Sequence, residues 1–187
     1  TPAAVAGTYD IIVTTCGGNS VNTVNDNYIY AGIPTVTSLG TACGTDAGGT
    51  SVVINGTNLL IATGVTVGGA AATITGSTAT TVTITTPAAV AGTYDILVTN
   101  CAGTSANTVN DNFNYVAVPT ITSLGTTCGP NTGGTSVVIN GTDLLNPTQV
   151  TVGGAVATIM GSTAATVTIT TPPRAPGARD VVVTTCG

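Results

Sequence analysis

The sequence predicts an all-β protein of tandem two-sheet sandwiches with no helices of note, on three observations: composition, alternation and a long internal period. Thr, Val, Ala and 25 Gly dominate the 187 residues, with one Phe and no Trp. Small and β-branched side chains suit a pleated, half-buried surface. Leu, Met and Arg, better helix formers, are scarce, and Glu and Lys are absent. Apolar and polar residues alternate in short runs broken by glycine, as in half-buried strands. Finally, TPAAVAGTYDI starts at Thr1 and again at Thr86, and TPPRAPGARDV starts at Thr171. A period of 85 residues means tandem domains rather than a thin solenoid. Residues 34–102 align with 119–187 without a gap, and 47 of 69 positions match.

Within one unit the elements follow in order. Thr35 to Leu39, after Pro34, reads as a first strand. GGTSVVING (48–56) comes next, with Val52 and Ile54 on one face and Val53 and Asn55 on the other. Gly64 to Val67, the pair Gly68-Gly69 and Ala70 to Ile74 read as a hairpin with a tight glycine turn. Thr81 to Thr85 turns Val82 and Ile84 inward and three threonines outward. Tyr94 to Thr99 and Ser105 to Tyr115 make a last hairpin around Ala102-Gly103. About seven short strands of this kind suggest a sandwich.

The domain boundaries fall near Ile33-Pro34 and Val118-Pro119, with no flexible linker between units. Residues 1–33 read as the C-terminal part of a repeat, 34–118 as a complete repeat, and 119–187 as a repeat lacking its last strand. On this expectation the chain is a fragment, or its end is completed by a neighbour.

Charge excludes several functions. Seven Asp oppose only Arg174 and Arg179, giving a formal charge of −5 with no His. Nucleic acid is not expected as a partner, because phosphate binding needs clustered Lys or Arg. No apolar run approaches the length that spans a bilayer, so membrane insertion is not expected. Catalysis is not expected either, since few groups remain to shuttle protons. The five cysteines, Cys16, Cys43, Cys101, Cys128 and Cys186, form no CxxC pair, which argues against zinc and for disulfides in an oxidising compartment.

The residues resemble the IPT/TIG family (immunoglobulin-like, plexin, transcription factor). The resemblance rests on PTVTSLGTACGTDAGGTSVVINGTNL at 34–59, VTVGG at 65–69, TPAAVAGTYDILVT at 86–99 and DNFNY at 111–115. It implies an early immunoglobulin-like sandwich of the kind found in surface receptors, Rel-type transcription factors, starch-acting enzymes and very long bacterial surface proteins. The sequence departs from the family at Cys43-Gly44, where Ser-Gly-Pro is common, and near Cys101, where Pro-Gly-Gly is common. Both changes are to Cys and both recur every 85 residues, which looks like one added crosslink.

Two pairings compete. Cys16 with Cys43 crosses a boundary, but eleven residues of last strand intervene, roughly 35 Å at about 3.3 Å per residue. A disulfide accepts Cα atoms only about 6 Å apart. Cys43 with Cys101 needs only that the opening strand neighbour the last hairpin, as is usual in such sandwiches. The expected pairs are therefore Cys43–Cys101 and Cys128–Cys186, with Cys16 bonded to a residue outside the chain. The alternative is five free, buried thiols.

The remaining motifs have structural readings. Asp10, Asp95 and Asp180 share one repeat position and Asp26 and Asp111 another, and they read as caps of turns and strand ends. Calcium at Asp111 beside Asn110 and Asn112 is the weaker reading, one carboxylate being thin, so no metal or cofactor is expected. GTDAGGT lacks the Lys and helix start of a phosphate loop and reads as a turn. Asn55-Gly56-Thr57 and Asn140-Gly141-Thr142 match the N-glycosylation sequon, making Asn55 and Asn140 candidate attachment sites, although the family uses the same residues as a strand end.

The expected function is structural: a stiff, disulfide-stapled repeat of an extracellular or cell-surface stalk or filament whose partners are other copies of itself. The rival expectation is a carbohydrate-binding or adhesin module that holds a glycan on its few aromatic rings.

Overall fold

The computed structural model describes residues 5–186. The chain folds into two compact units. One comprises the residues up to Ala42, Ser51–Pro87 and Tyr94–Phe113; the other comprises Cys43–Thr50, Ala88–Thr93 and the residues from Asn114 on.

The first segment supplies β1 (Gly7–Asp10), the short strands β2 (Thr14–Thr15) and β3 (Gly18–Asn19), and β4 (Asn27–Tyr30). β1 pairs antiparallel with β4, and β2 with β3. A capping box closes a single 3-10 turn before β4: Thr23 caps it and the Asp26 carboxylate accepts from the Thr23 backbone N–H at 3.1 Å.

The middle repeat supplies β5 (Thr35–Leu39), β6 (Cys43–Thr45), β7 (Ser51–Thr57), β8 (Gly64–Val67), β9 (Ala70–Ala71), β10 (Thr73–Ser77), β11 (Thr81–Thr85), β12 (Gly92–Asn100), β13 (Gly103–Thr104) and β14 (Asn112–Val116). One sheet has the order β10-β11-β7-β5; the other has β6-β14-β12-β8-β9, with β13 beside β12. The alternation expected from sequence holds in β7 and β11. Val52, Ile54, Val82 and Ile84 are fully buried, while Val53 is exposed and Thr81, Thr83 and Thr85 are half-buried. Val65, Val67, Ile96, Val98 and Phe113 are buried on the second sheet.

Three elements differ from the sequence expectation. The strand expected over Ala70 to Ile74 is two strands, because β9 stays on β8 while β10 joins β11 in the other sheet. The strand expected over Ser105 to Tyr115 is interrupted by a 3-10 turn at Val109–Asp111, where the Asp111 carboxylate accepts from the Thr108 N–H at 2.9 Å. This local box offers the backbone a partner other than the sheet. Third, the loop around GTDAGGT contributes β6, parallel to β14 with Cys43 opposite Asn114. The turn itself follows at Gly48 and Gly49, both at positive φ.

The last repeat supplies β15 (Thr120–Leu124), β16 (Ser136–Thr142), β17 (Gln149–Val152), β18 (Ala155–Val156), β19 (Thr158–Ser162), β20 (Thr166–Thr170) and β21 (Val181–Thr184). Its sheets have the orders β15-β16-β20-β19 and β18-β17-β21. Its core is Val137, Ile139, Leu144, Val150, Ala157, Val167, Ile169 and Val183. Each of these except Ala157 has a buried counterpart 85 residues earlier.

The glycine one residue before the end of β7 and of β16 has a specific reason. A Cβ at Gly56 would collide with the Thr35 carbonyl oxygen, and one at Gly141 with the Thr120 carbonyl oxygen. This close approach sits at a bulge in the β5–β7 and β15–β16 ladders.

Candidate functional site: the cysteines at the repeat junctions

Of the chemically distinctive side chains, the cysteines are the ones the fold brings together. Cys43 opens β6 and is bonded to Cys186, which follows β21, with their Cα atoms 5.9 Å apart and a sequence separation of 143. Both lie in the second compact unit. Cys16, Cys101 and Cys128 are exposed and free of disulfides.

This replaces the expected pairs Cys43–Cys101 and Cys128–Cys186, and the reason lies in the strand register. Cys43 stands opposite Asn114, and the Asn114 amide oxygen accepts from the Thr93 hydroxyl at 3.3 Å. Thr93 is at the start of β12, whereas Cys101 follows the end of that nine-residue strand. Eight residues at about 3.3 Å each separate the two levels by roughly 26 Å, far beyond the reach of a disulfide. Cys186 is bonded to Cys43 and Cys128 is exposed and free, so the second expected pair does not form either. Nor is Cys16 bonded forward to Cys43 or to any other cysteine, since it is free. The bond observed crosses the other way, from the loop of one repeat to the hairpin of the next.

In the middle repeat the hairpin is hydrogen-bonded to the segment that precedes it. The residue before Cys101 is Asn100, 4 % exposed, whose side-chain amide donates to the Gly32 carbonyl at 2.9 Å and the Asn58 carbonyl at 3.2 Å. Gly32 belongs to the end of the first segment.

A cleft of about 650 Å³ opens in the last repeat, lined by Leu124, Cys128, Val137, Ile169 and Val181. In the middle repeat the aromatic strand β14 buries Phe113 and Tyr115 to 0 % and 1 % exposure. No counterpart of β14 exists in the last repeat among the described residues.

The predicted aspartates and asparagines make local hydrogen bonds. The Asp10 and Asp95 carboxylates accept from the side-chain amides of Asn22 and Asn107. Asp111 is fully buried in its capping box, with Oδ1 lacking a hydrogen-bond partner. Among the described residues, no group of three or more His, Cys, Asp or Glu comes together to hold a metal. Asn55 and Asn140 are half-buried, and their amides donate to Ser38 and Ser123 at 3.2 and 3.1 Å. Arg179 takes the place of Tyr94 over the glycine turn: a Cβ on Gly68 would meet the Tyr94 ring, and one on Gly153 would lie 2.8 Å from the Arg179 side chain. Arg174 donates from Nε to the Val152 carbonyl at 3.2 Å and from its terminal nitrogen to the Gly153 carbonyl.

Two consecutive copies of a glycine-rich, seven- to ten-stranded module with a covalent link between them define a tandem β-sandwich protein. The chain belongs to the IPT/TIG domain family, whose model matches residues 34–116 and 119–187. Among solved structures, the chain is similar to the plexin A4 extracellular region at 23 % identity, with a TM-score of 0.49 over 94 % of this chain and 16 % of that one. It is also similar to the surface glycan-binding protein PbSGBP-B from Prevotella bryantii at 19 % identity, with a TM-score of 0.39 over 82 % and 40 %. SGBP-B of the Bacteroides ovatus mixed-linkage glucan utilization locus matches at 19 % identity, with a TM-score of 0.36 over 95 % and 47 %. The chain thus spans less than half the length of each. No curated protein matches the sequence.

Proposed function

We propose that the chain is a structural segment of an extracellular stalk or filament, in which IPT/TIG repeats follow one another without flexible linkers and are stapled covalently from repeat to repeat. The observation that carries this reading is the Cys43–Cys186 bond, which joins consecutive copies of the 85-residue unit. A crosslink inside one domain would stabilise that domain alone. A crosslink between consecutive repeats limits how far they turn or separate under load, which is what a stalk requires. Disulfides persist outside reducing compartments, and this supports an extracellular or surface location. Near-absence of charge leaves little repulsion against lateral association of copies. No helix among the described residues is long and apolar enough to cross a membrane.

The glycan-binding reading finds less support. Tyr9 and Tyr28 are exposed, but both meet Tyr30 edge-on, at interplanar angles of 86° and 69°. Rings set on edge to one another do not make a flat platform for a sugar. Phe113 and Tyr115 are buried.

Negative-stain electron microscopy of native material, with and without dithiothreitol, tests the proposal. Long fibres of uniform width that loosen or fragment on reduction are expected. Short particles indifferent to reductant contradict it.

A further inference from the structure

The five cysteines obey one rule. Cys43 and Cys128 hold the loop position of the repeat, and Cys16, Cys101 and Cys186 hold the hairpin position. The one bond formed joins a loop cysteine to the hairpin cysteine 143 residues downstream, in the following repeat. The positions 143 residues on from Cys128, and 143 residues back from Cys101 or Cys16, lie outside residues 1–187. By this rule none of the three finds a partner within a single copy of the chain, and all three are exposed with free thiols.

We infer that Cys128 is a covalent docking point for another copy of this repeat, bonding to the hairpin cysteine of that copy as Cys43 bonds to Cys186. The inference rests on the stapled-repeat reading and extends it from one junction to a general connection between copies. Two independent observations support it besides the free thiol. The bonded pair occupies the same two repeat positions in this molecule. In addition, Asn100 ties the hairpin before Cys101 to the Gly32 carbonyl of the preceding segment, so this hairpin too faces the repeat before it.

The chemistry balances through a disulfide oxidant such as glutathione disulfide. The Cys128 thiolate attacks it, releasing one glutathione thiol and leaving a mixed disulfide. The hairpin thiolate of the second copy then attacks the Cys128 sulfur and releases the second glutathione. Two protein thiols are oxidised, and one glutathione disulfide is reduced to two thiols.

The aspartates make the test clean, because cleavage before each Asp isolates every cysteine on its own peptide: 10–25, 26–45, 95–110, 111–142 and 180–187. The chain is incubated with glutathione disulfide, separated on a non-reducing gel, and the covalent multimers digested. Peptide 111–142 linked to 95–110 or to 10–25 is expected, and the variant Cys128→Ser is expected to lose these multimers while 26–45 stays linked to 180–187. Peptide 111–142 linked to itself, hairpin peptides linked to one another, or no multimers at all overturns the inference. In each of those cases an intact 26–45 to 180–187 link leaves the stapled-repeat reading standing, whereas its absence removes both. On native material, multiplication of the apparent mass without reductant identifies a separate polypeptide as the source of the second copy. An unchanged mass with the Cys128 link present identifies a repeat on the same polypeptide.

Discussion

The middle and last repeats share most of their residues but not their burial. Val36 is 7 % exposed and its counterpart Ile121 is 37 % exposed. Ile96 is fully buried, whereas Val181 at the same position is only partly buried beside the last repeat's core. The sheet β10-β11-β7-β5 and its counterpart β15-β16-β20-β19 nonetheless bury their shared central positions equally: Val82 and Val167, and Ile84 and Ile169, are all at 0 %. Both changed positions lie near β14 and its preceding 3-10 turn, Val36 on β5 beside that turn and Ile96 on β12 beside β14. Neither of those elements has a counterpart among the described residues of the last repeat. Two aromatic rings from a five-residue strand therefore finish a core that small aliphatic residues only begin.

The largest effect expected is from removing the staple. Closing 143 residues constrains the unfolded chain by up to about 5 kcal/mol in the loop-entropy model. Cys186→Ser should lower the unfolding free energy of the chain by a comparable margin, and a variant that melts like the parent contradicts the bond. Next comes Phe113→Ala, expected to cost about 3–5 kcal/mol, read by chemical denaturation. It should bring the middle repeat towards the more open last repeat, with amide exchange accelerating in β12 and at Val36.

A third change should fall on both repeats alike. Gly56→Ala and Gly141→Ala each drive a Cβ into a backbone carbonyl, and each should cost about 1–3 kcal/mol of overpacking. Unequal costs measured by thermal melts would show that the shared sheet is not equivalent in the two repeats. The smallest effect is expected from Thr108→Ala, which removes the cap ahead of β14 and should cost about 1 kcal/mol. Thr23→Ala makes the same change in the first segment.

How much of this was legible in the sequence follows from the residues themselves. The alternation of Val52, Val53 and Ile54 reports which face is buried, because one face of a half-buried strand is apolar. The 85-residue period and the family motifs report tandem sandwiches. Three-residue β6 was not legible: Cys43-Gly44-Thr45 has no alternation to read, and its partner β14 lies far along the chain. Nor was the move of β10 between sheets, since Ala70-Ala71-Ala72-Thr73-Ile74 has no glycine, proline or charged residue to mark where one strand ends and the next begins. The cysteine pairing was hidden for a different reason. In a strict repeat, Cys43–Cys101 and Cys43–Cys186 join the same two repeat positions, so spacing alone cannot separate a bond within a unit from a bond to the next. Only the register of Cys43 with Asn114, at the opposite end of β12 from Cys101, decides it.

The most direct test is the disulfide map of the unreduced chain. Digestion before aspartate, with free thiols blocked beforehand, should yield peptide 26–45 linked to 180–187, with Cys16, Cys101 and Cys128 blocked. Recovery of 26–45 linked to 95–110 instead would return the crosslink to the interior of one repeat and contradict the covalent connection between consecutive repeats.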